Sequence, residues 1–283
     1  MTNLFLIPLY NDWDSLKILL KKINSELKKK NLFSEIIVIN DCSNKSEKQD
    51  IKKLKWIKKI KIINLKENLG SQKAIFVGLK YILSNNYKGI LTILDSDGED
   101  DIKKIIQMTT NAKNKPNSII LARRSQRTEG SLLKILNQLR LFTNYLLTGN
   151  SINFGNFSSF NINILKNLLT NNNLWVAYSG GVLKNHNNFF FINAKKQLRY
   201  KGSTKVNLFF LIRHSINILS IFWKKIALRS FLIFLFLSFL FNEKILVIAI
   251  FLLLINILLF LNFKINHKNS IENNFLKNIN IYK

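Results

Sequence analysis

Residues 89–101 read Gly89-Ile90-Leu91-Thr92-Ile93-Leu94-Asp95-Ser96-Asp97-Gly98-Glu99-Asp100-Asp101. The apolar run 89–94 has the length and β-branched content of a buried strand. Five of the chain's sixteen acidic residues then fall within seven positions, in a molecule that carries 43 Lys and Arg. Like charges gather in this way when something cationic neutralises them. Asp95 and Asp97, one residue apart at a strand's carboxyl end, suit a hard divalent ion that also holds a diphosphate. Mg²⁺ takes one or two carboxylates and completes its shell with phosphate oxygens and water. A helix N-terminus accounts for Asp100 and Asp101, ahead of a helical pattern at 102–110, because acidic residues are favoured in a first turn. It does not account for Asp95 and Asp97.

Outward from this stretch, short apolar runs at 4–7, 36–40, 60–64 and 119–122 read as further strands. Residues 15–30, 71–83 and 102–110 read as helices, the first with Asp14 as its N-cap. Such alternation predicts an α/β fold of right-handed βαβ units around a mostly parallel, twisted sheet. Ligands of these sheets lie outside the strands' carboxyl ends. Asn11-Asp12, Asp41 and the Asp95/Asp97 pair fall at the ends of strands one, two and four, which predicts one binding cleft.

A formal net charge of +27 over 283 residues first points to nucleic acid. The positive residues are scattered as Lys among Asn and Ile, however, with no RNA-binding motif, zinc-finger spacing or Arg-rich arm, so nucleic acid is excluded as the expected partner. An anionic membrane surface fits better, because the charge accompanies an apolar C-terminal end. The only cysteine, Cys42, permits no intrachain disulfide, indicates a reducing compartment and reads as a small filler beside Asp41. Residues 1–8 lack a basic n-region and read as a strand, not a signal peptide.

Residues 131–147 form an amphipathic helix with a broad apolar face, and 205–225 another, with Arg213, Asn217, Ser220 and Lys224 as a narrow polar stripe. Two apolar stretches follow, 226–241, interrupted by Arg229, and 245–263, separated by Asn242-Glu243-Lys244. At about 1.5 Å per residue the second reaches roughly 28 Å, and the first spans only if Arg229 snorkels at its edge. A three-residue polar turn predicts a transmembrane helical hairpin. Lys224, Lys225 and Arg229 flank one open end and Lys264, His267 and Lys268 the other, so both ends and the N-terminal domain are expected to face the cytoplasm. The predicted organisation is a domain at 1–200, a juxtamembrane loop and helix at 201–225, the hairpin at 226–263 and a tail at 264–283.

Taken in order, Ile7-Pro8-Leu9-Tyr10-Asn11-Asp12, Ile39-Asn40-Asp41-Cys42-Ser43, Asn68-Leu69-Gly70 with Ala74 and Gly78, and Leu94-Asp95-Ser96-Asp97-Gly98-Glu99-Asp100 resemble the family-2 inverting glycosyltransferases. Within that family the chain looks most like the polyprenyl-phosphate branch, the dolichol-phosphate mannosyltransferases and bacterial bactoprenol glucosyltransferases, from about residue 4 to 205. The resemblance implies a GT-A-type nucleotide-sugar domain on a bacterial inner membrane, multi-pass, serving cell-envelope polysaccharide. Pro8, Tyr10 and Asp12 would line the base and ribose pocket, with Asp41 and Arg123 also on the donor. Asp95 and Asp97 look like the D-x-D pair that holds Mg²⁺ or Mn²⁺ on the donor diphosphate, with Glu99 as a third oxygen ligand where relatives often carry Gln. Arg124 and Arg127 resemble arginines that follow the fifth strand and serve phosphate, as cationic forks suit it. Arg199-Tyr200-Lys201-Gly202-Ser203-Thr204-Lys205 resembles the R-x-x-G-x-S-K signature with altered spacing, which implies Arg199, Ser203 and Lys205 on the acceptor phosphate.

One segment departs from the pattern. Relatives carry acidic residues in D-x-G-D/S-F near the acceptor, and this chain has Asn153-Phe154-Gly155-Asn156-Phe157. An amide cannot serve as a general base. A lipid phosphate is already an anion and needs none; for a neutral sugar hydroxyl, Asp100 is the remaining candidate. The expected activity is transfer of one sugar from a nucleotide diphosphate sugar to an undecaprenyl-type polyprenyl phosphate. The alternatives are the same fold acting on a glycan or lipid-linked sugar, and a catalytically silent, membrane-bound nucleotide-sugar-binding subunit. Self-association, the sugar and the nucleotide stay open.

Overall fold

The computed structural model describes residues 2–44, 54–126, 131–202, 208–240, 245–272 and 279–280. Arg127, Ser203, Lys205 and the turn 242–244 lie outside these residues. In chain order the elements are β1 (Asn3–Leu9), α1 (Trp13–Lys28), β2 (Ser34–Asn40), β3 (Ile57–Leu65), α2 (Ser71–Ser84), β4 (Ile90–Ile93), α3 (Ile105–Asn114), β5 (Ile119–Gln126) and α4 (Ser131–Thr148). They continue with β6 (Phe154–Asn161), the short helices α5 (Leu165–Leu168) and α6 (Asn173–Val176), α7 (Tyr178–Asn185), β7 (Phe189–Lys195), α8 (Leu208–Ile221), α9 (Trp223–Leu240), α10 (Ile245–Glu272) and a two-residue β8 (Ile279–Asn280).

The sheet order is β7-β5-β6-β4-β1-β2-β3, with β8 pairing antiparallel at the β3 edge. All neighbouring pairs among the first seven strands are parallel except those made by β6, which runs antiparallel to both β4 and β5. β1 is buried along its whole length, and its period of two divides the run between the sheet's faces. Leu4 and Leu6 join the core beneath α2, while Phe5, Ile7 and Leu9 join the one beneath α1 and α3. Pro8 is tolerated in this central strand because the Leu94 N–H to Leu6 carbonyl bond is the last toward β4, and position 8 faces that vacated side.

The first core continues through α6 and α7 into the C-terminal helices, where Ile218, Ile221, Phe222, Ile226 and Leu259 are buried. α7 lies directly on the backbone of α6: a Cβ built on Gly181 would stand 2.6 Å from the Leu174 nitrogen. Backbone cannot yield as a side chain can, so Gly181→Ala is expected to cost about 2–3 kcal/mol of stability, read by denaturant titration.

Several expectations shift. Helix α1 begins at Trp13 with Asp12, not Asp14, at the cap position, and the Asp12 carboxylate makes no cap hydrogen bond. The predicted 205–225 helix is α8 and stops at Ile221; α9 then starts at Trp223 and carries Lys224, Lys225 and Arg229 in its first two turns. The Arg229 guanidinium donates to the Tyr145 and Leu146 carbonyls at 3.1 and 2.6 Å, closing the last turn of α4. Among the described residues one helix is long and apolar enough to cross a membrane, Val247–Lys268 within α10. α9 packs along α10, with the Trp223 and Phe260 rings edge-on at 4.9 Å.

Candidate functional site

The acidic strand ends meet at one edge, as the parallel topology requires. Asp41, next after β2, is buried, and its two oxygens accept the backbone N–H groups of Leu69 at 2.7 Å and Gly70 at 2.8 Å, just before α2. Burial raises its pKa above the ordinary carboxylate value, against the pull of those two donors. Asp41 thus ties β2 to the start of α2. Asn11, with φ +57°, accepts the Asn44 N–H and its own N–H donates to Ser43, binding the β1–α1 turn to the same loop.

After β4 the chain makes a tight loop. The Asp95 N–H donates to Asp100 Oδ2 at 2.9 Å, and the Glu99 N–H to Asp97 Oδ1 at 3.0 Å. Asp100 and Asp101 are buried, and Asp101 caps the helical turn at Ile102–Lys104 through its carbonyl, not its carboxylate. Asp100, the sequence's reserve base, therefore has a carboxylate engaged in holding the loop.

The segment after β7 straps across this loop. The Gln197 N–H donates to the Glu99 carbonyl and the Tyr200 N–H to the Asp97 carbonyl, at 2.8 and 2.9 Å. The Tyr200 ring lies where a Cβ on Gly98 would be, and Gly98 has φ +89°, so both the conformation and the close approach require glycine. Arg199 bridges two carboxylates: one guanidinium nitrogen is 2.5 Å from Asp12 Oδ2 and another 3.1 Å from Asp97 Oδ2. Burial opposes the guanidinium's charge, but the hydrogen bond and charge of Asp12, with Asp97, hold its pKa above the usual value. Asp97 is raised as well, which for a carboxyl disfavours the charged form. Burial first, then the facing Asp95 carboxylate, push it up to about 6 despite the Glu99 N–H and Arg199.

On the opposite flank, β6 delivers Asn156. Ile93 pairs with Ser158 and Thr92 with Ser159, the latter locked by a buried hydroxyl pair at 2.7 Å, so the antiparallel register carried onward sets Asn156 against Asp95. The Asn156 amide donates to Asp95 Oδ1 at 3.0 Å and accepts from Gln72 Nε2 at 3.0 Å.

Of the sequence-assigned residues, Pro8, Tyr10, Asp12, Asp41, Asp95, Asp97, Glu99 and Asp100 sit at the strand-end edge. Arg199 and Asn156, assigned to the acceptor side, are both engaged by carboxylates of the donor side. Asn153 is half-buried just before β6. Arg123 stacks its guanidinium over the Phe191 ring at 4.2 Å, and Arg124 is a β5 residue in register with Ala194. Gln72, Lys196 and Tyr200 carried no motif signal that singled them out.

The expected three-carboxylate metal set is not assembled. Among the described residues no group of three His, Cys, Asp or Glu side chains is arranged to hold a metal, and Glu99 is drawn instead to the Lys196 ammonium at 3.1 Å. Asp95 and Asp97 do fit a divalent cation: both offer hard oxygens, and their mutual repulsion in a buried setting is what such an ion relieves.

Comparison with known proteins identifies the family and the fold. The model of the family described as Glycosyl transferase family 2 matches residues 5–217. Glycosyltransferase sll0501 of Synechocystis sp. is 30% identical over 124 residues, which is 44% of this chain and 38% of that protein. The match thus spans well under half of that relative's length. The crystal structure of S. aureus TarS 1-349 with UDP-GlcNAc superposes with a TM-score of 0.50 at 15% identity, covering 81% of this chain and 70% of that one. GalNAc-T7 with UDP, GalNAc and Mn²⁺ also gives 0.50, at 12% identity, covering 78% of this chain and 48% of that one. At these identities the structures share a GT-A-like fold with the chain.

Proposed function

The chain belongs to glycosyl transferase family 2, and from that premise we propose that it moves a sugar from a nucleotide diphosphate sugar to a polyprenyl phosphate at a membrane surface. Asp95 and Asp97 hold Mg²⁺ or Mn²⁺, with the solved Mn²⁺ and UDP complex of GalNAc-T7 as support from the same fold. A bound divalent ion supplies neutralisation of the departing nucleotide diphosphate. The protein's own groups position: Asp12 and the Asp41-anchored loop frame the nucleotide, and Arg199, held by Asp12 and Asp97, brings a positive charge to the same edge.

The observation that carries the acceptor assignment is the engagement of Asn156. Relatives' acidic position holds an amide committed to Asp95 and Gln72, and Asp100 is buried against the Asp95 N–H. The amide cannot act as a base and Asp100 already holds the loop, so an acceptor that arrives ionised, as a phosphate does, suits this site better than a sugar hydroxyl.

The membrane reading is supported by apolar surface that a water-facing domain would cover. Phe142 and Tyr145 of α4 and Phe209 of α8 are each at least 60% exposed, alongside α10. At the α8–α9 junction Lys184, from the domain, lies over Phe222 and Lys224 over Trp223, a basic–aromatic belt that suits anionic headgroups. α9 and α10 then form the proposed hairpin, with the domain on the cytoplasmic side.

The test is the full-length protein in detergent with Mn²⁺, undecaprenyl phosphate and radiolabelled nucleotide sugars. Labelled lipid is expected with one donor. Label that enters only a glycan acceptor, or donor binding without any transfer, overturns the reading.

A further inference from the structure

Gln72 stands on the first turn of α2, far in sequence from Asp95, yet a chain of hydrogen bonds joins them. Its Oε1 accepts the backbone N–H of Tyr178, the first residue of α7, at 2.8 Å. A backbone N–H can only donate, which removes the usual ambiguity in amide orientation. With Oε1 committed to that donor, Gln72 must present Nε2 to Asn156. Asn156 must then accept through Oδ1 and present Nδ2 to Asp95 Oδ1. The direction of every bond in the relay is thus set from α7, and its output is a hydrogen-bond donor aimed at a carboxylate that suits a metal. Ser158 Oγ, which donates to the Asn156 carbonyl at 3.0 Å and meets the buried Tyr178 hydroxyl at 2.6 Å, braces the same strand segment against α7.

We infer that Gln72 is a positioning residue for the metal site, acting through Asn156 to hold Asp95 oriented toward a divalent cation bound at Asp95 and Asp97. The inference rests on the metal reading given above. It also explains why an amide suits position 156. An aspartate there has no N–H to donate and would face Asp95 Oδ1 with a second carboxylate.

Gln72→Glu tests this with nearly the same shape. The glutamate still accepts the Tyr178 N–H, so α7 keeps its anchor, but its second oxygen faces Asn156. The amide then turns, presenting Oδ1 instead of Nδ2 to Asp95. Mn²⁺ binding is followed by electron paramagnetic resonance titration of the full chain, without any donor or acceptor. Groups that orient metal ligands typically contribute roughly tenfold to a hundredfold in affinity, and a loss of that size is expected for Gln72→Glu and for Asn156→Ala. In the double variant the second change adds nothing, because the relay is already cut. A role of Gln72 confined to bracing α7 leaves Mn²⁺ affinity of Gln72→Glu at the wild-type value, or makes the two losses multiply; either result overturns the inference. Wild-type protein that holds Mn²⁺ no better than Asp95→Ala overturns the metal reading itself, and this inference with it.

Discussion

Asp97→Ala is expected to abolish transfer while leaving the protein folded. Asp97 lies in the loop after β4, outside both cores, and its side chain is 19% exposed, so its removal creates no cavity. It also relieves the repulsion with Asp95 that pushes its pKa up. Stability without metal should therefore change little: the lost contact with Arg199 and the relieved carboxylate repulsion oppose one another. Turnover has no such offset. Metal neutralisation of a leaving diphosphate contributes several kcal/mol to the transition state. Losing about 4–5 kcal/mol slows transfer roughly a thousandfold or more. Initial rates with the labelled donor at saturating Mn²⁺, paired with a thermal melt, read both sides of the prediction. Wild-type turnover in a folded Asp97→Ala protein would remove Asp97 from the metal site.

Arg199→Ala should show the opposite pattern, a stability loss that metal repairs. Its guanidinium compensates Asp12 and Asp97 together, and all three side chains are under 20% exposed. Removing one partner of such a cluster leaves carboxylates in a poorly solvated site, at a cost of about 3 kcal/mol. A divalent ion at Asp95 and Asp97 supplies part of the missing charge, so Mn²⁺ should raise the melting temperature of the variant more than that of wild type. Equal stabilisation of the two proteins by Mn²⁺ would mean that Arg199 and the ion do not share the site.

Legibility in the sequence followed burial on both faces. β1, β2, β4 and β5 are interior strands, so they appear as unbroken apolar runs, and the expected strands fall within a residue or two of the observed ones except at the start of β3 and the far end of β5. β6 escaped because its residues Phe154–Asn161 mix Phe with Ser and Asn. Its buried hydroxyls are satisfied only by partners on other elements, Ser159 by Thr92 and Ser158 by Tyr178. β7 is an edge strand with Phe190 and Phe191 partly exposed, and it lacks the two-sided run. Composition alone also did not reveal that Arg229, the one charge inside the first apolar stretch, is hydrogen-bonded to the end of α4.

The acidic residues after β4 can now be told apart by what each one faces. Composition and spacing determined that Asp12, Asp41, Asp95 and Asp97 would share an edge, since strand direction and the period of two are local properties that parallel pairing turns into a common end. Only the tertiary structure decided their partners. Asp97 meets Arg199 across 102 residues, and Gln72 meets Asn156 across 84. Glu99 turns to Lys196 and Asp100 back to the Asp95 N–H. Hydrogen bonds and ion pairs of this kind depend on register and on the packing of α7 and the strap after β7. Neither leaves a periodic trace in the chain, so the partner of each carboxylate was settled by the fold.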